Sequence, residues 1–367
     1  MSPFAHSTAR SIAAGSRYAA AIAAVAVGSA AFSVGFRVLL AGVYESLFHA
    51  RDVVTAIAGV PWWARIVIPL TGGLLAGAVS LIRGHARQDV SNVMEAVALG
   101  RVRLSLRTTL RRVTSSWIAI AAGLSIGREG PLIEFGGALG AAVGRTARIP
   151  QRWTRALVAA GTAAGFAAAY NTPFAAALFV LETIVGIAAL EAVIPILAAT
   201  AIGTALTRTM AGGGPIYGAR DFTTTSPWEF VSFVAVAVLA AGAAALFKQC
   251  LAWFEAVFNR KSAGQPWRSA IGGLIVGAVA CGVPHVAGNG YEPLNQLLDG
   301  TMAVRLLLLL LVAKIVATGA SVASGVPGGV FTPVLLVGGI VGALWGHIAS
   351  LAWYVPATHI GSYALLG

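Results

Sequence analysis

A carboxylate stands at position 129 in the segment Gly127-Arg128-Glu129-Gly130-Pro131. Two glycines loosen the backbone there, and Pro131 suits the first turn of a helix, where its missing N–H is no loss. A helix that starts at this point aims unpaired N–H groups and the positive end of its dipole at whatever lies ahead. Such an end is a ready anion site. The segment Gly328-Gly329-Val330-Phe331-Thr332-Pro333 has the same logic. Two helix starts facing one point would hold a dehydrated halide without the full charge of a lysine. That is weak enough to release the ion again, as conduction requires.

Glu129 is the chemically decisive residue. A carboxylate beside a helix start competes for the place an anion would take, and once protonated it loses that attraction and can swing away. The expectation is a gate that also accepts a proton; the plainer alternative is an N-terminal acid that only caps its helix. An ionisable residue inside a membrane is costly and points to function. Glu134 lies five residues on, about 140° around the helix, and no role is assigned to it.

The elements that must position these residues are apolar. Of 367 residues, 57% are hydrophobic and 10% charged, and the mean hydropathy is +0.82. So few charges cannot cover a water-facing surface, so the chain is read as an all-α polytopic membrane protein with tilted and broken, re-entrant helices. Apolar runs recur at 18–47, 62–82, 114–126, 131–144, 156–182, 184–207, 229–258, 269–287, 303–323 and 330–354. The run 131–144 is too short to cross a hydrocarbon core of about 30 Å. Short, Gly/Pro-interrupted segments of this kind suggest helices that begin or end inside the membrane.

The chain also repeats itself. Residues Pro131 to Gly144 read P-x4-GG-x2-G-x3-G, and so do residues Pro333 to Gly346. Gly136, Gly140 and Gly144 fall on one helix face, as do Gly338, Gly342 and Gly346, and small residues at that spacing let helix backbones approach closely in lipid. The expected organisation is a cytoplasmic tail at 1–17, a first half at 18–210, a linker at 211–227 and a second half at 228–367.

These segments carry a resemblance. Gly127–Pro131 looks like the signature of the CLC family of chloride channels and chloride–proton antiporters. Ser324–Pro333 (SGVPGGVFTP) is similar to a second conserved segment of that family. Ala167–Phe174 with Phe179–Glu182 resembles a third, and Val93–Val97 the region after a fourth. The resemblance covers the chain from about residue 20 onward. It implies a homodimer with one pore per subunit and chloride transport, by a voltage-gated channel or by proton exchange. Glu129 matches the family's gating glutamate. The N–H groups of Val330 and Phe331 match its central-site donors, and Gly127, Arg128 and Gly130 the backbone around its outer site. Pro131, Gly329, Thr332 and Pro333 complete the expected anion-binding set.

Three departures qualify the match. Where the family has a Gly-x-Gly-x-Pro turn, this chain has Arg87-Gln88-Asp89-Val90-Ser91, so Gln88 would have to supply a side-chain donor beside an added negative charge. Where proton-coupled members carry an inner glutamate, Thr183 follows Glu182, and a proton path would run through this pair. The final residues Ser362–Gly367 resemble the opening of a further helix, whereas the family continues through several more, one with a pore tyrosine. The chain is therefore expected to be C-terminally truncated relative to the family. Fluoride or another anion as cargo, and an inactive truncated protein, stand as alternatives.

Other classes fit less well. The net charge of +12 comes from arginines clustered between apolar runs, as in cytoplasmic loops of membrane proteins, rather than from a nucleic-acid surface. Cys250, Cys281 and the scattered histidines make no metal spacing, and no cofactor is expected. Gly123-Leu-Ser125-Ile-Gly127 matches the G-x-S-x-G nucleophile pattern, which needs a preceding strand and a base such as His285 or His347. The apolar stretch before it reads as helix, so the chain is not expected to be an enzyme. The expected partners are a small anion, protons if transport is coupled, the lipid bilayer of the plasma (inner) membrane and a second copy of the chain.

Overall fold

In the computed structural model, residues 3–81, 90–98, 104–186, 190–214, 216–218, 220, 229–260, 264–352 and 360–367 are described. They form α1 (Pro3–Phe48), α2 (Val53–Gly59), α3 (Trp62–Leu81), α4 (Val90–Ala98), α5 (Leu106–Ala121), α6 (Glu129–Thr146), α7 (Gln151–Tyr170) and α8 (Pro173–Val180). There follow α9 (Leu190–Ala211), α10 (Glu229–Arg260), α11 (Gln265–Gly282), α12 (Tyr291–Leu298), α13 (Val304–Ala323), α14 (Phe331–Ala352) and α15 (Ile360–Leu366). Among the described residues six stretches are long and apolar enough to cross a membrane: Ala14–Gly59, Trp62–Leu81, Leu190–Ala211, Glu229–Arg260, Val304–Ala323 and Phe331–Leu351. Their outer faces are apolar too. On α10, Phe230, Val231, Val234, Val238 and Trp253 are all exposed, a continuous greasy face that water would not tolerate. The chain is an all-α polytopic membrane protein.

One apolar run of the sequence, 156–182, is not one helix. The structure breaks it into α7, a turn, α8 and a π-helical turn at Leu181–Val185. The break has a local cause. Asn171 adopts a left-handed conformation (φ 58, ψ 33) and caps α7 through its N–H to the Ala167 carbonyl, while Pro173 opens α8. Helix α1 likewise begins at Pro3, well inside the tract read as a tail.

The helices cluster into two compact units that interleave along the chain: Met1–Val38, Ala86–Val113 and Glu129–Ile216 in the first; Leu39–His85, Thr114–Arg128 and Tyr217–Gly367 in the second. In the first unit α7 is buried along most of its length. It lies against α6 with almost no side chain between them: a Cβ on Gly136 would strike the Gly161 carbonyl, one on Gly161 the Gly136 carbonyl, and one on Gly140 the Leu157 carbonyl. In the second unit α3 and α11 meet in the same way, Gly73 against the Ser269 carbonyl and Gly273 against the Pro69 carbonyl. There too, Gly338 and Gly342 of α14 lie against the backbone of Gly367 and Tyr363. The repeated glycine stripe thus does one job twice: it seats α6 on α7 and α14 on the segment of α15.

Candidate functional site

The turns that lead into α6 and α14 lie side by side. Gly127 and Gly329 form an isolated antiparallel bridge, with Gly127 N–H donating to the Gly329 carbonyl at 2.6 Å and Gly329 N–H donating to the Gly127 carbonyl at 2.9 Å. Only glycine allows the approach next to it: a Cβ on Gly328 would lie 2.7 Å from the Ile126 side chain. Irregular backbone inside a membrane must find its hydrogen bonds within the protein, and here each interrupted segment satisfies the other. The N–H groups of Gly127 and Gly329 are therefore engaged with carbonyls, and the groups that come after them lead into the helices. Two residues beyond each glycine a helix begins, α6 at Glu129 and α14 at Phe331. Each carries proline at its third residue, Pro131 and Pro333, where the first turn needs no N–H.

Glu129 is the first residue of α6 and is 2% exposed. Its Oε1 accepts a hydrogen bond of 2.8 Å from the Tyr170 hydroxyl, at the end of α7. Tyr170 is itself buried, with its ring 4.9 Å from that of Phe166, which stacks on Phe179 at 4.6 Å. The position of Tyr170 along the helix is set by the next residue. Asn171 donates from Nδ2 to the Gly214 carbonyl at 2.6 Å and accepts from Arg208 Nε at 3.1 Å. In the sequence Tyr170 is part of the Ala167–Phe174 motif, which assigns it no role. The available signal was a phenol hydroxyl closing the apolar, alanine-rich final stretch of α7, residues 163–169.

Arg128 precedes the acid and turns to the second unit's own side chains, its guanidinium carbon 5.5 Å from the centre of the Tyr291 ring, a cation–π contact. Tyr291 opens α12 after a tight turn. That turn is held by Lys314 of α13, fully buried, whose ammonium donates to the Val286 carbonyl at 3.0 Å and the Gly288 carbonyl at 2.8 Å. Glu292 follows, with Oε2 buried and without a hydrogen-bond partner among the described residues. Burial pushes its carboxyl above the usual carboxylate range; its own backbone N–H opposes this, Asp52 reinforces it, and Arg128 and Lys314 oppose it. Neither Lys314 nor Glu292 was anticipated from the sequence.

Glu134 has a separate partner. Arg112 of α5 grips it with both nitrogens, Nε to Oε2 at 3.0 Å and a terminal nitrogen to Oε1 at 3.1 Å. This forked pair is a fixed structural brace, so Glu134→Gln is expected to leave the pH profile of the protein where it is while lowering stability. The loss should be about 1.5–3 kcal/mol, the scale of a hydrogen bond to a charged group, read by chemical unfolding in detergent micelles. A displaced pH profile would show Glu134 to be part of the titrating machinery.

The remaining predicted residues are dispersed. Thr332 is buried in the first turn of α14, while Gly130 and Pro131 are buried in that of α6. Glu182 and Thr183 sit on the π-helical turn and are exposed, with the Thr183 hydroxyl donating to the Phe179 carbonyl at 2.5 Å. Gln88 and Asp89 lie outside the described residues. The nucleophile pattern around Ser125 has no strand before it; α5 precedes it. Ser125 is fully buried, its hydroxyl 2.8 Å from that of Thr318 and its N–H donating to Ser321 Oγ at 3.1 Å. A serine so placed packs one segment on α13 and offers no exposed nucleophile.

Interrupted helices that start in buried protein, with an acid at one start and their lead-in turns paired, define a membrane protein of the channel and transporter class. The chain belongs to the voltage gated chloride channel family, whose sequence model matches residues 71–367. It is 38% identical over 302 residues to a ClcB-like protein of Ralstonia nicotianae, covering 81% of this chain and 70% of that one. It is 31% identical over 315 residues to the voltage-gated ClC-type chloride channel ClcB of Salmonella typhimurium, covering 83% of this chain and 74% of that one. Among solved structures it resembles a slow cyanobacterial Cl⁻/H⁺ antiporter, with a TM-score of 0.83, 20% identity and coverage of 95% and 83% of the two chains. It also resembles a CLC-type fluoride/proton antiporter, with a TM-score of 0.72, 19% identity and coverage of 95% and 84%.

Proposed function

We propose that this chain carries chloride across the plasma (inner) membrane through a pathway that Glu129 opens and closes. The observation that carries the reading is the reciprocal Gly127–Gly329 bridge. It clamps the two lead-in turns together, and the N–H groups that follow each turn, those of Arg128 and Gly130 after the first and of Val330, Phe331 and Thr332 after the second, are the donors offered to an anion. Gly127, Gly329, Pro131 and Pro333 shape the backbone around it. Glu129 plugs the site when ionised and leaves it when protonated, which ties anion passage to proton concentration. The names of the relatives at 38% and 31% identity favour chloride as the cargo.

The glycine stripes support a reading of residues 18–210 and 228–367 as two repeated halves joined at 211–227. Phe174, Leu178, Leu190 and Ile194 on α8 and α9 are 70%, 54%, 86% and 77% exposed, a face that suits a second copy of the chain. Glu182 and Thr183 lie at the end of this region, where a proton path to the inner surface would emerge if the transport is coupled.

The test is reconstitution of the full chain in liposomes with a panel of chloride, fluoride, nitrate and sulfate. Chloride efflux above that of empty liposomes is the expected result, and uphill proton movement driven by a chloride gradient separates an exchanger from a channel. Fluoride moving in preference to chloride would replace the cargo assignment, and no flux of any anion would overturn the reading.

A further inference from the structure

We propose that Tyr170 is the latch of the gate: its hydroxyl holds the Glu129 carboxylate in the closed position and so sets the proton concentration at which the gate releases. The inference rests on the reading of Glu129 as the gate, and it adds a positioning residue that acts through that acid.

The geometry is direct. A phenol and a carboxylate meet at 2.8 Å, both buried, on neighbouring helices that cannot slide apart. Helix α6 is locked to α7 by the backbone contacts at Gly136, Gly140 and Gly161. The end of α7 is locked by the Asn171 cap, through Arg208 and Gly214. The hydroxyl is thus presented from a braced helix end, and release is a movement of the Glu129 side chain away from it.

The chemistry is asymmetric. A neutral O–H donor gives its strongest hydrogen bond to an ionised acceptor, and the bond is stronger still where water is excluded. The ionised, inward gate gains from it. A protonated carboxyl gains much less and has no charge to hold it in place. Removing the hydroxyl therefore favours release at a lower proton concentration. Among the described residues, the charged groups on the elements around the latch have these placements. Arg128 is next in sequence and contacts Tyr291. Glu134 is paired with Arg112. Arg208 is bound to Asn171. On α4, which packs Val93 against Gly137 of α6, Glu95 is exposed. Arg152 and Arg155 belong to the opposite end of α7.

Two readouts test the latch, one of which does not need transport. In liposomes, chloride efflux is measured against pH for the wild type, Tyr170→Phe, Glu129→Gln and the double variant. The half-maximal point of Tyr170→Phe is expected to move up by about one pH unit, a tenfold change in proton concentration for the loss of one charge-assisted hydrogen bond. In the Glu129→Gln background the Tyr170→Phe change is expected to do nothing further. In the same proteins, the infrared carboxyl stretch that Glu129→Gln abolishes is followed against pH, and in Tyr170→Phe that band should persist to higher pH by the same amount. A fluorinated tyrosine at position 170, a stronger donor with the same ring, should move both readouts down.

An unmoved infrared band in Tyr170→Phe overturns the latch whether or not the chain transports anything. So does a change in maximal rate with no change in midpoint, which would mark Tyr170 as packing alone, or a shift that survives in the Glu129→Gln background. If Tyr170→Phe does not fold, the fluorinated variant decides by the sign of its shift. Absence of flux with a displaced infrared band would sink the transport reading and leave the latch standing.

Discussion

Glu129→Gln is expected to abolish the pH dependence of anion flux and to raise flux at neutral pH by about tenfold or more. The glutamine has the same size but no charge, so it cannot compete with an anion for the positive end of a helix. It also accepts only a neutral hydrogen bond from Tyr170, in place of a charge-assisted one worth about 1.5–3 kcal/mol. Each factor of ten in open population corresponds to about 1.4 kcal/mol, so loss of that bond alone suffices for the predicted rise. The measurement is chloride efflux from liposomes at several external pH values. A Glu129→Gln protein that transports at the wild-type rate with the wild-type pH profile would remove the gate from this residue, and Glu129 would be left as a cap on α6.

The second large effect lies away from Glu129. Lys314→Met is expected to destabilise the protein by about 3–5 kcal/mol, the range for breaking a buried charged contact from one side. Methionine fills the same volume in α13 but leaves the carbonyls of Val286 and Gly288 without the donor that each now has. It also removes a cation that acts on the buried carboxyl of Glu292. Adding Glu292→Gln to Lys314→Met should therefore restore part of the loss, because it removes the charge left behind. Unfolding of the two single variants and the double in detergent micelles measures both numbers. A Lys314→Met protein within about 0.5 kcal/mol of wild type, the range for inconsequential surface changes, would show that the turn carrying Tyr291 and Glu292 does not depend on the lysine.

How much of this was legible in the sequence follows from what each feature depends on. The starts of α6 and α14 were legible because glycine and proline act on their own backbone, so Gly127–Pro131 and Gly328–Pro333 announce an interrupted helix whatever surrounds them. The glycine stripes were legible for the same reason: a spacing of four places Gly136 and Gly140 on one face, and the structure seats that face on α7. The break at Asn171–Pro173 was missed, since hydropathy alone runs through it from 156 to 182 and the left-handed asparagine is a single-residue event.

Tyr170, Lys314 and Glu292 were missed for a different reason. Their roles depend on partners far along the chain, Tyr170 on an acid 41 residues away and Lys314 on carbonyls 28 and 26 residues away. No local pattern encodes such pairings. Residues 39–85 and 114–128 cluster with the later part of the chain, a long-range association that no local pattern encodes either.

The bridge between Gly127 and Gly329 has a consequence for how the protein is made. The partner of Gly127 lies 202 residues downstream, and a ribosome working at about 5–20 residues per second needs about 10–40 s to reach it. Throughout that interval the earlier turn has a peptide N–H and C=O with no protein to bind, which bare lipid would penalise by several kcal/mol. Newly inserted helices must therefore keep a watery cleft, or a chaperoning surface, around residue 127 until the later turn arrives. Closing that cleft is the step at which a string of inserted helices becomes a folded unit.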